Sequence, residues 1–122
     1  MDLVSELRSL LGPDAVRASA EDLAPLLVDH RQLYRGSAAA LAVPDSTEAV
    51  SRLLAFCNSR RIAVVPQGGN TGYCGGATPD AGGGAVLLSL RRMRRLRSIS
   101  PDDFALVAEA GCTLADVQAA AE

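Results

Sequence analysis

The sequence predicts an α+β fold in which helices pack beside a small, partly parallel sheet. Three observations predict this class: a strand–helix–strand pattern over residues 38–65, a further apolar strand after a glycine-rich loop, and a hairpin pattern near residue 100. The chain has 122 residues, of which 48% are apolar and 21% charged, the balance of a globular protein. That length is sufficient for one hydrophobic core.

The first predicted element is an amphipathic helix near the N-terminus. Its apolar residues recur at helical spacing, at Val4, Leu7, Leu10 and Leu11. Gly12 and Pro13 follow and are typical of a helix end. We therefore treat residues 1–36 as an N-terminal helical segment, separate from residues 37–122.

The strand–helix–strand pattern begins with the apolar residues 38–43, which predict a buried strand ending at Pro44. Residues 45–48 have the form of a capping box, with Asp45 as N-cap and Glu48 three residues later. One apolar helix face follows, at Val50, Leu53, Leu54 and Cys57. Residues 62–65 are short and rich in β-branched side chains, which predicts a strand buried on both faces. The two strands should be parallel.

Three further elements are predicted towards the C-terminal end. Residues 85–88 form a third apolar strand, and residues 97–99 and 104–108 flank the turn sequence of residues 100–103, as in a hairpin. Thr113 with Asp116 is an N-cap signal for a last helix. Because that helix is still in progress at Glu122, we expect the sequence to be truncated there.

The glycine-rich loop over residues 66–76 carries the functional signal. Five glycines lie between Gly68 and Gly76, directly after a predicted strand. Consecutive free N–H groups in such a loop form a concavity suited to phosphate oxygens, and Asn70 and Thr71 can add side-chain hydrogen bonds. Neither GxxxxGK[ST] nor GxGxxG is present, which argues against a nucleotide triphosphatase loop and the usual NAD fold. The alternative is a mobile loop without a ligand.

The loop also resembles a known family. Together with residues 64–65 it is similar to the FAD-binding loop of the p-cresol methylhydroxylase and vanillyl-alcohol oxidase type, in the branch that contains D-lactate, glycolate-oxidase-subunit and D-2-hydroxyglutarate dehydrogenases. Further matching motifs are Tyr34-Arg35-Gly36, Ala42-Val43-Pro44 with Ser46-Thr47-Glu48-Ala49-Val50, Leu88-Ser89-Leu90-Arg91-Arg92-Met93 and Glu109-Ala110-Gly111-Cys112-Thr113-Leu114.

The resemblance implies a set of cofactor-binding residues. The loop would hold the FAD pyrophosphate, and Gly111 would lie near the flavin end of the cofactor, although a simple turn glycine is an equal alternative there. Asn70 stands where some relatives carry a histidine bonded to the flavin, which implies non-covalent FAD. The implied set is Pro66, Gln67, Gly68, Gly69, Asn70, Thr71, Gly72, Gly75, Gly76 and Gly111.

The resemblance also implies a fold and a reaction. Residues 37–122 would be the first subdomain of a FAD-binding domain of this type, in an oxidoreductase that converts a D-2-hydroxy acid to the 2-oxo acid and passes electrons to an acceptor other than NAD. No catalytic residue can be assigned, and we expect these 122 residues alone to be inactive. The alternative is a non-catalytic module that binds another phosphate ligand.

Other candidates carry weaker signals. His30 is the only histidine, and we assign it a surface or structural role. Five arginines between residues 91 and 97 predict a solvated face, because interleaved aromatics are absent and the net charge is −2, which argues against nucleic acid binding. The cysteines form no metal-ligand pattern. Without an apolar span or a signal peptide in the sequence, we expect a cytoplasmic protein.

Overall fold

The computed structural model describes residues 2–122 and contains one mixed sheet, one hairpin and four α-helices within that range. The helices are α1 (Leu3–Leu11), α2 (Ala20–Leu23), α3 (Thr47–Ser59) and α4 (Leu114–Ala121). The strands are β1 (Val16–Arg17), β2 (Ala40–Ala42), β3 (Val64–Gln67), β4 (Val86–Ser89), β5 (Leu96–Ser100) and β6 (Ala105–Ala108). The predicted α+β class with a partly parallel sheet is confirmed.

The four-stranded sheet has the order β1-β2-β4-β3. β4 lies in the middle and pairs in parallel with both β2 and β3, while β1 pairs antiparallel with β2. The strand–helix–strand unit β2-α3-β3 therefore has parallel strands, as predicted, but β4 separates them. This order brings the C-terminal ends of β3 and β4, at Gln67 and Ser89, side by side.

The prediction that residues 62–65 form a strand buried on both faces is wrong. β3 begins at Val64, and Val64 and Val65 are only half-buried. The physical reason is the sheet order, because β4 occupies the inner position and leaves β3 at the edge. β4 itself is buried at every residue, which is the pattern of a central parallel strand.

The start of α3 also differs from the prediction. Ser46, not Asp45, is the N-cap, and its side chain accepts a hydrogen bond from the amide of Ala49 at 3.1 Å. Glu48 is consequently the second helical residue and cannot complete a capping box with Asp45. At α4 the predicted cap is confirmed, since Thr113 and Asp116 form a reciprocal capping box.

The hydrophobic core joins the N-terminal segment to the sheet. Leu7 of α1 and Val16 of β1 pack in one cluster with Leu53 and Cys57 of α3 and with Val86 of β4. Every one of these side chains is buried. The division between residues 1–36 and 37–122 stays a prediction, and the packing crosses it.

The hairpin β5–β6 forms where it was expected. Its strands pair antiparallel, and a short 3-10 turn over Pro101–Asp103 joins them. Phe104 follows the turn with φ +52°, in the left-handed region, and its side chain is 98% exposed. The hairpin leads directly to Gly111 and the N-terminus of α4.

Candidate functional site

A cleft of about 690 Å³ lies beside the C-terminal ends of β3 and β4. Three segments form its walls: the glycine loop after β3, the turn after β4, and the first residues of α4. Its lining residues are Gly68, Gly69, Thr71, Arg91, Arg94, Ala110, Gly111, Cys112, Thr113, Leu114 and Ala115. The charged residues of this lining are Arg91 and Arg94, and their positive charges suit an anionic ligand.

The backbone amides of the glycine loop are unpaired. Within residues 2–122, no amide from residue 68 to residue 77 donates a hydrogen bond to another part of the chain. Two carbonyls of this region do accept hydrogen bonds: that of Gln67 from the Leu90 amide and that of Gly75 from the Thr78 amide. A continuous run of free N–H groups is the donor set that phosphate oxygens require.

The glycines of the loop differ in whether the structure could accommodate a side chain in their place. A Cβ added at Gly68, Gly69, Gly72 or Gly76 would meet no atom within 4 Å, and none of these residues has φ in the left-handed region. The protein therefore has space for side chains at these four positions. Gly75 is different, because its φ is +78° and a Cβ would lie 3.1 Å from the Tyr34 ring.

Gln67 and Asn70 bind the protein through their side chains. Gln67 is buried, and its Nε2 donates to the carbonyls of Leu26 at 2.9 Å and Ala77 at 3.1 Å. Asn70 has φ +58°, and its Nδ2 donates to the carbonyl of Val28 at 2.9 Å. Both amide groups thus fasten the loop to the N-terminal segment, so the structure gives them a positioning role.

The turn over residues 29–34 holds this anchor in place. Asp29 is buried and accepts from the amides of Tyr34 at 2.8 Å and Arg31 at 3.2 Å. These bonds, the Tyr34 amide first, lower the pKa of Asp29 below its usual value. Arg31 in turn lies over the ring of Tyr73, 4.7 Å from its centroid, and donates to the Tyr73 carbonyl.

His30 has the structural position expected of it. Its ring stacks on Tyr73, with centroids 6.1 Å apart and planes 12° from parallel. The sequence alone showed neither this stack nor the anchoring role of the turn, since the contacts join residues about 40 positions apart. A polar turn sequence before the Tyr34-Arg35-Gly36 motif was the one available signal.

Gly111 is required by close backbone packing. A Cβ there would lie 1.9 Å from the carbonyl oxygen of Leu90 and 2.7 Å from that of Met93. The Gly111 amide donates to the Met93 carbonyl at 2.8 Å. Gly111 thus holds the turn after β4 against the start of α4, and both border the cleft.

Four of the five arginines between residues 91 and 97 are bonded. All five are exposed, as a solvated face requires, but Arg95 and Arg97 pair with the buried carboxylate of Glu109 at 3.4 and 3.0 Å. Arg94 pairs with Asp116 at 3.0 Å. Arg92 donates to the carbonyl of Val43 at 3.2 Å. The arginine run therefore has a structural function that the sequence did not reveal.

The predicted site residues are brought together in part. Gly68, Gly69, Thr71 and Gly111 line the same cleft although up to 43 positions separate them. Pro66 and Gln67 end β3. The others, Asn70, Gly72, Gly75 and Gly76, lie in the loop outside the cleft wall.

Neither a cluster of metal ligands nor a membrane-spanning helix is found within residues 2–122. No group of three or more His, Cys, Asp or Glu side chains there is placed to hold a metal ion. None of the helices in this part of the chain has the length and apolar character needed to cross a membrane.

Comparison with known proteins identifies the family to which this chain belongs. Residues 38–122 match the FAD binding domain family. The chain therefore belongs to this family. The structure of p-cresol methylhydroxylase with substrate bound superimposes on this chain with a TM-score of 0.79 at 23% sequence identity. The match covers 96% of this chain and 23% of the p-cresol methylhydroxylase chain. This likeness confirms the fold.

Two curated relatives have names that refer to D-2-hydroxyglutarate. D-2-hydroxyglutarate dehydrogenase, mitochondrial, of Arabidopsis thaliana is 39% identical over 111 residues, which are 91% of this chain and 20% of the relative. A D-2-hydroxyglutarate–pyruvate transhydrogenase of Saccharomyces cerevisiae is 36% identical over 111 residues, 89% of this chain and 22% of the relative. The chain thus spans about a fifth of the length of the relatives it matches.

Proposed function

We propose that the cleft binds FAD without a covalent bond and that the glycine loop holds its pyrophosphate through backbone N–H groups. The observation that carries the proposal is the run of unpaired amides from residue 68 to residue 77, of which Gly68, Gly69 and Thr71 line a cleft that also contains two arginines. Membership of the FAD-binding family supports FAD over other phosphate ligands. The bonded side chain of Asn70, where some relatives carry a flavin-linking histidine, supports non-covalent binding.

The residues present fit a pyrophosphate. Its oxygens are acceptors only, and the unpaired backbone N–H groups of the loop are donors, so each such contact would be a charge-assisted hydrogen bond. Gly68 and Gly69 leave open space where side chains would otherwise stand between the ligand and the backbone. Gln67 and Asn70 supply rigidity, because their bonds to Leu26 and Val28 hold the loop in one arrangement.

We further propose that the protein to which this chain belongs oxidises a D-2-hydroxy acid, with D-2-hydroxyglutarate, D-lactate and glycolate as the candidate substrates. The names of the two relatives support the D-2-hydroxyglutarate class. Bound FAD would supply the chemistry by accepting a hydride from the substrate, and this chain's residues would grip and orient it. The electron acceptor is a separate partner.

A cytoplasmic location stays a prediction. The name of the Arabidopsis relative carries the word mitochondrial and lends it no support.

Titration of the 122-residue chain with FAD and with riboflavin tests the binding proposal. Riboflavin has the flavin ring without the pyrophosphate, so its affinity should be at least about a hundredfold lower, as expected for the loss of two charge-assisted hydrogen bonds. Acid precipitation of the complex should release all flavin into solution. Equal affinity for both ligands, or no FAD binding, would contradict the proposal.

Catalysis by the chain alone is not expected. Dye reduction with D-2-hydroxyglutarate and D-lactate should stay at background even with saturating FAD, because no catalytic acid or base has been identified among these residues. Turnover at an enzyme-like rate would show that the site is complete here.

A further inference from the structure

Arg91 differs from the other arginines in its run. Within residues 2–122, its guanidinium makes no hydrogen bond and no ion pair, whereas Arg92, Arg94, Arg95 and Arg97 each have a bonded partner. An unpaired guanidinium on a protein surface is usually solvated and carries no function. The location of Arg91 distinguishes it from that ordinary case.

Arg91 lines the cleft that the glycine loop also borders. Its wall position faces a ligand space shared with Gly68, Gly69 and Thr71. The backbone at Arg91 is fixed at two points: its amide donates to Ser89 Oγ at 3.4 Å, and the preceding Leu90 carbonyl packs against Gly111. The side chain therefore projects from a turn whose backbone is held by contacts within the protein.

The charge of Arg91 is also uncompensated. The second arginine of the cleft, Arg94, has its charge balanced by Asp116 at 3.0 Å, and no carboxylate is among the lining residues. The free positive charge of the cleft thus belongs to Arg91. A planar guanidinium can donate two parallel hydrogen bonds to phosphate oxygens, which a loop of single amides cannot do.

We propose that Arg91 is a second phosphate-binding group of the site, which lines the same cleft as the glycine loop and offsets part of the negative charge of the FAD pyrophosphate. This inference rests on the proposed function, since it assigns a further residue to the same ligand. It also gives the turn after β4 a ligand contact in addition to its packing against Gly111.

Three variants of the 122-residue chain test the inference by flavin fluorescence titration. Arg91→Ala should weaken FAD binding at least about tenfold, because the loss of even one charge-assisted hydrogen bond has an effect of that size. Arg91→Lys should recover part of that loss, because it keeps the charge without the planar fork. Arg52→Ala is the matched control, since Arg52 is an exposed arginine of α3 outside the cleft, and it should leave the affinity unchanged.

Two further readouts separate phosphate binding from a general effect on the fold. Riboflavin affinity should be the same in Arg91→Ala as in the unaltered chain, because riboflavin lacks phosphate. Raising the salt concentration from about 0.05 M to about 0.5 M should weaken FAD binding more in the unaltered chain than in Arg91→Ala.

The outcomes distinguish the inference from the function on which it rests. FAD affinity that is equal in Arg91→Ala and the unaltered chain, or an equal loss for FAD and riboflavin, overturns the role of Arg91 alone. Failure of the unaltered chain to bind FAD overturns the proposed function and this inference with it.

Discussion

At the scale of single residues, the glycine loop combines two kinds of position. Gln67 and Asn70 use their amide side chains on backbone carbonyls of the N-terminal segment, which holds the loop in place. Asn70 can do so at φ +58° because asparagine tolerates the left-handed region better than most residues. Gly68 and Gly69, by contrast, leave a surface without side chains. The loop is thus anchored by its amide residues and kept open by its glycines.

Substitution of two glycines should separate these roles. Gly69→Val should change the free energy of unfolding by no more than about 0.5 kcal/mol, because the added side chain meets open space and φ lies outside the left-handed region. The same variant should lose FAD binding at least tenfold, because the valine would occupy the space proposed for the pyrophosphate. Urea unfolding and FAD titration measure the two quantities.

Gly75→Val is the matched control, because it should lower the free energy of unfolding whereas Gly69→Val should not. Its φ of +78° and the Tyr34 ring 3.1 Å from the added Cβ should cost more than about 1 kcal/mol of unfolding free energy. If Gly69→Val keeps full FAD affinity, the ligand does not lie against that part of the loop.

At the scale of elements, substitution of two adjacent residues, Ser46 and Asp45, tests which of them caps the N-terminus of α3. Ser46→Ala should lower the free energy of unfolding by about 1 kcal/mol, because it removes the side-chain acceptor for the Ala49 amide. Asp45→Ala should cost much less, since Asp45 makes only an exposed contact with Arg92 at 3.8 Å. Urea unfolding of both variants checks this order, and the reverse order would restore Asp45 as the cap.

The hairpin should show a dependence on pH through Glu109. The Arg95 amide, and then the Arg97 guanidinium, lower the pKa of Glu109 in the folded chain. The folded carboxylate thus binds a proton less readily than the unfolded one. Its contribution to stability is complete above the unfolded value of about 4.3 and is lost as the pH falls through the folded pKa.

Glu109→Gln should therefore be less stable than the unaltered chain at pH 7, and the difference should shrink as the pH falls below about 4. Urea unfolding at several pH values measures it. Glu21→Gln is the control, because Glu21 is exposed and forms no ion pair within residues 2–122, and at pH 7 it should change the free energy of unfolding by less than about 0.5 kcal/mol. A constant deficit in Glu109→Gln would mean that the charge of Glu109 contributes nothing.

The sequence correctly predicted those elements that depend on residues close together along the chain. The turn at residues 100–103 and the Thr113–Asp116 cap involve residues three apart, and both formed as expected. The position of β4 between β2 and β3 was not predictable in this way, because strand order depends on contacts about 20 to 45 residues apart. The same limit applied to the surroundings of Arg91 and Glu109, which include segments 12 or more residues away along the chain.

At the scale of the whole molecule, the N-terminal segment is integral to the core and to the site. Leu7 is fully buried among residues of α3 and the sheet, and the carbonyls of Leu26 and Val28 hold the glycine loop. The family match begins only at residue 38. The anchoring of the loop therefore depends on residues that precede the matched region.

Leu7→Ala tests this dependence on the core. Removal of the side chain should lower the free energy of unfolding by about 2–5 kcal/mol, as for other large-to-small changes in a core. Leu33→Ala is the control, since Leu33 is 63% exposed, and it should have an effect below about 1 kcal/mol. Equal small effects in urea unfolding would show that residues 37–122 fold without the N-terminal segment.

The most direct test of the central claim is an NMR titration of the ¹⁵N-labelled chain with FAD. If the unpaired amides of the loop bind the pyrophosphate, the largest shift changes should occur at Gly68, Gly69 and Thr71, and smaller ones at the start of α4. Riboflavin at the same concentration should leave the loop amides nearly unchanged. Shift changes confined to the hairpin, or loop changes of equal size with both ligands, would contradict the claim that this loop holds the pyrophosphate of FAD.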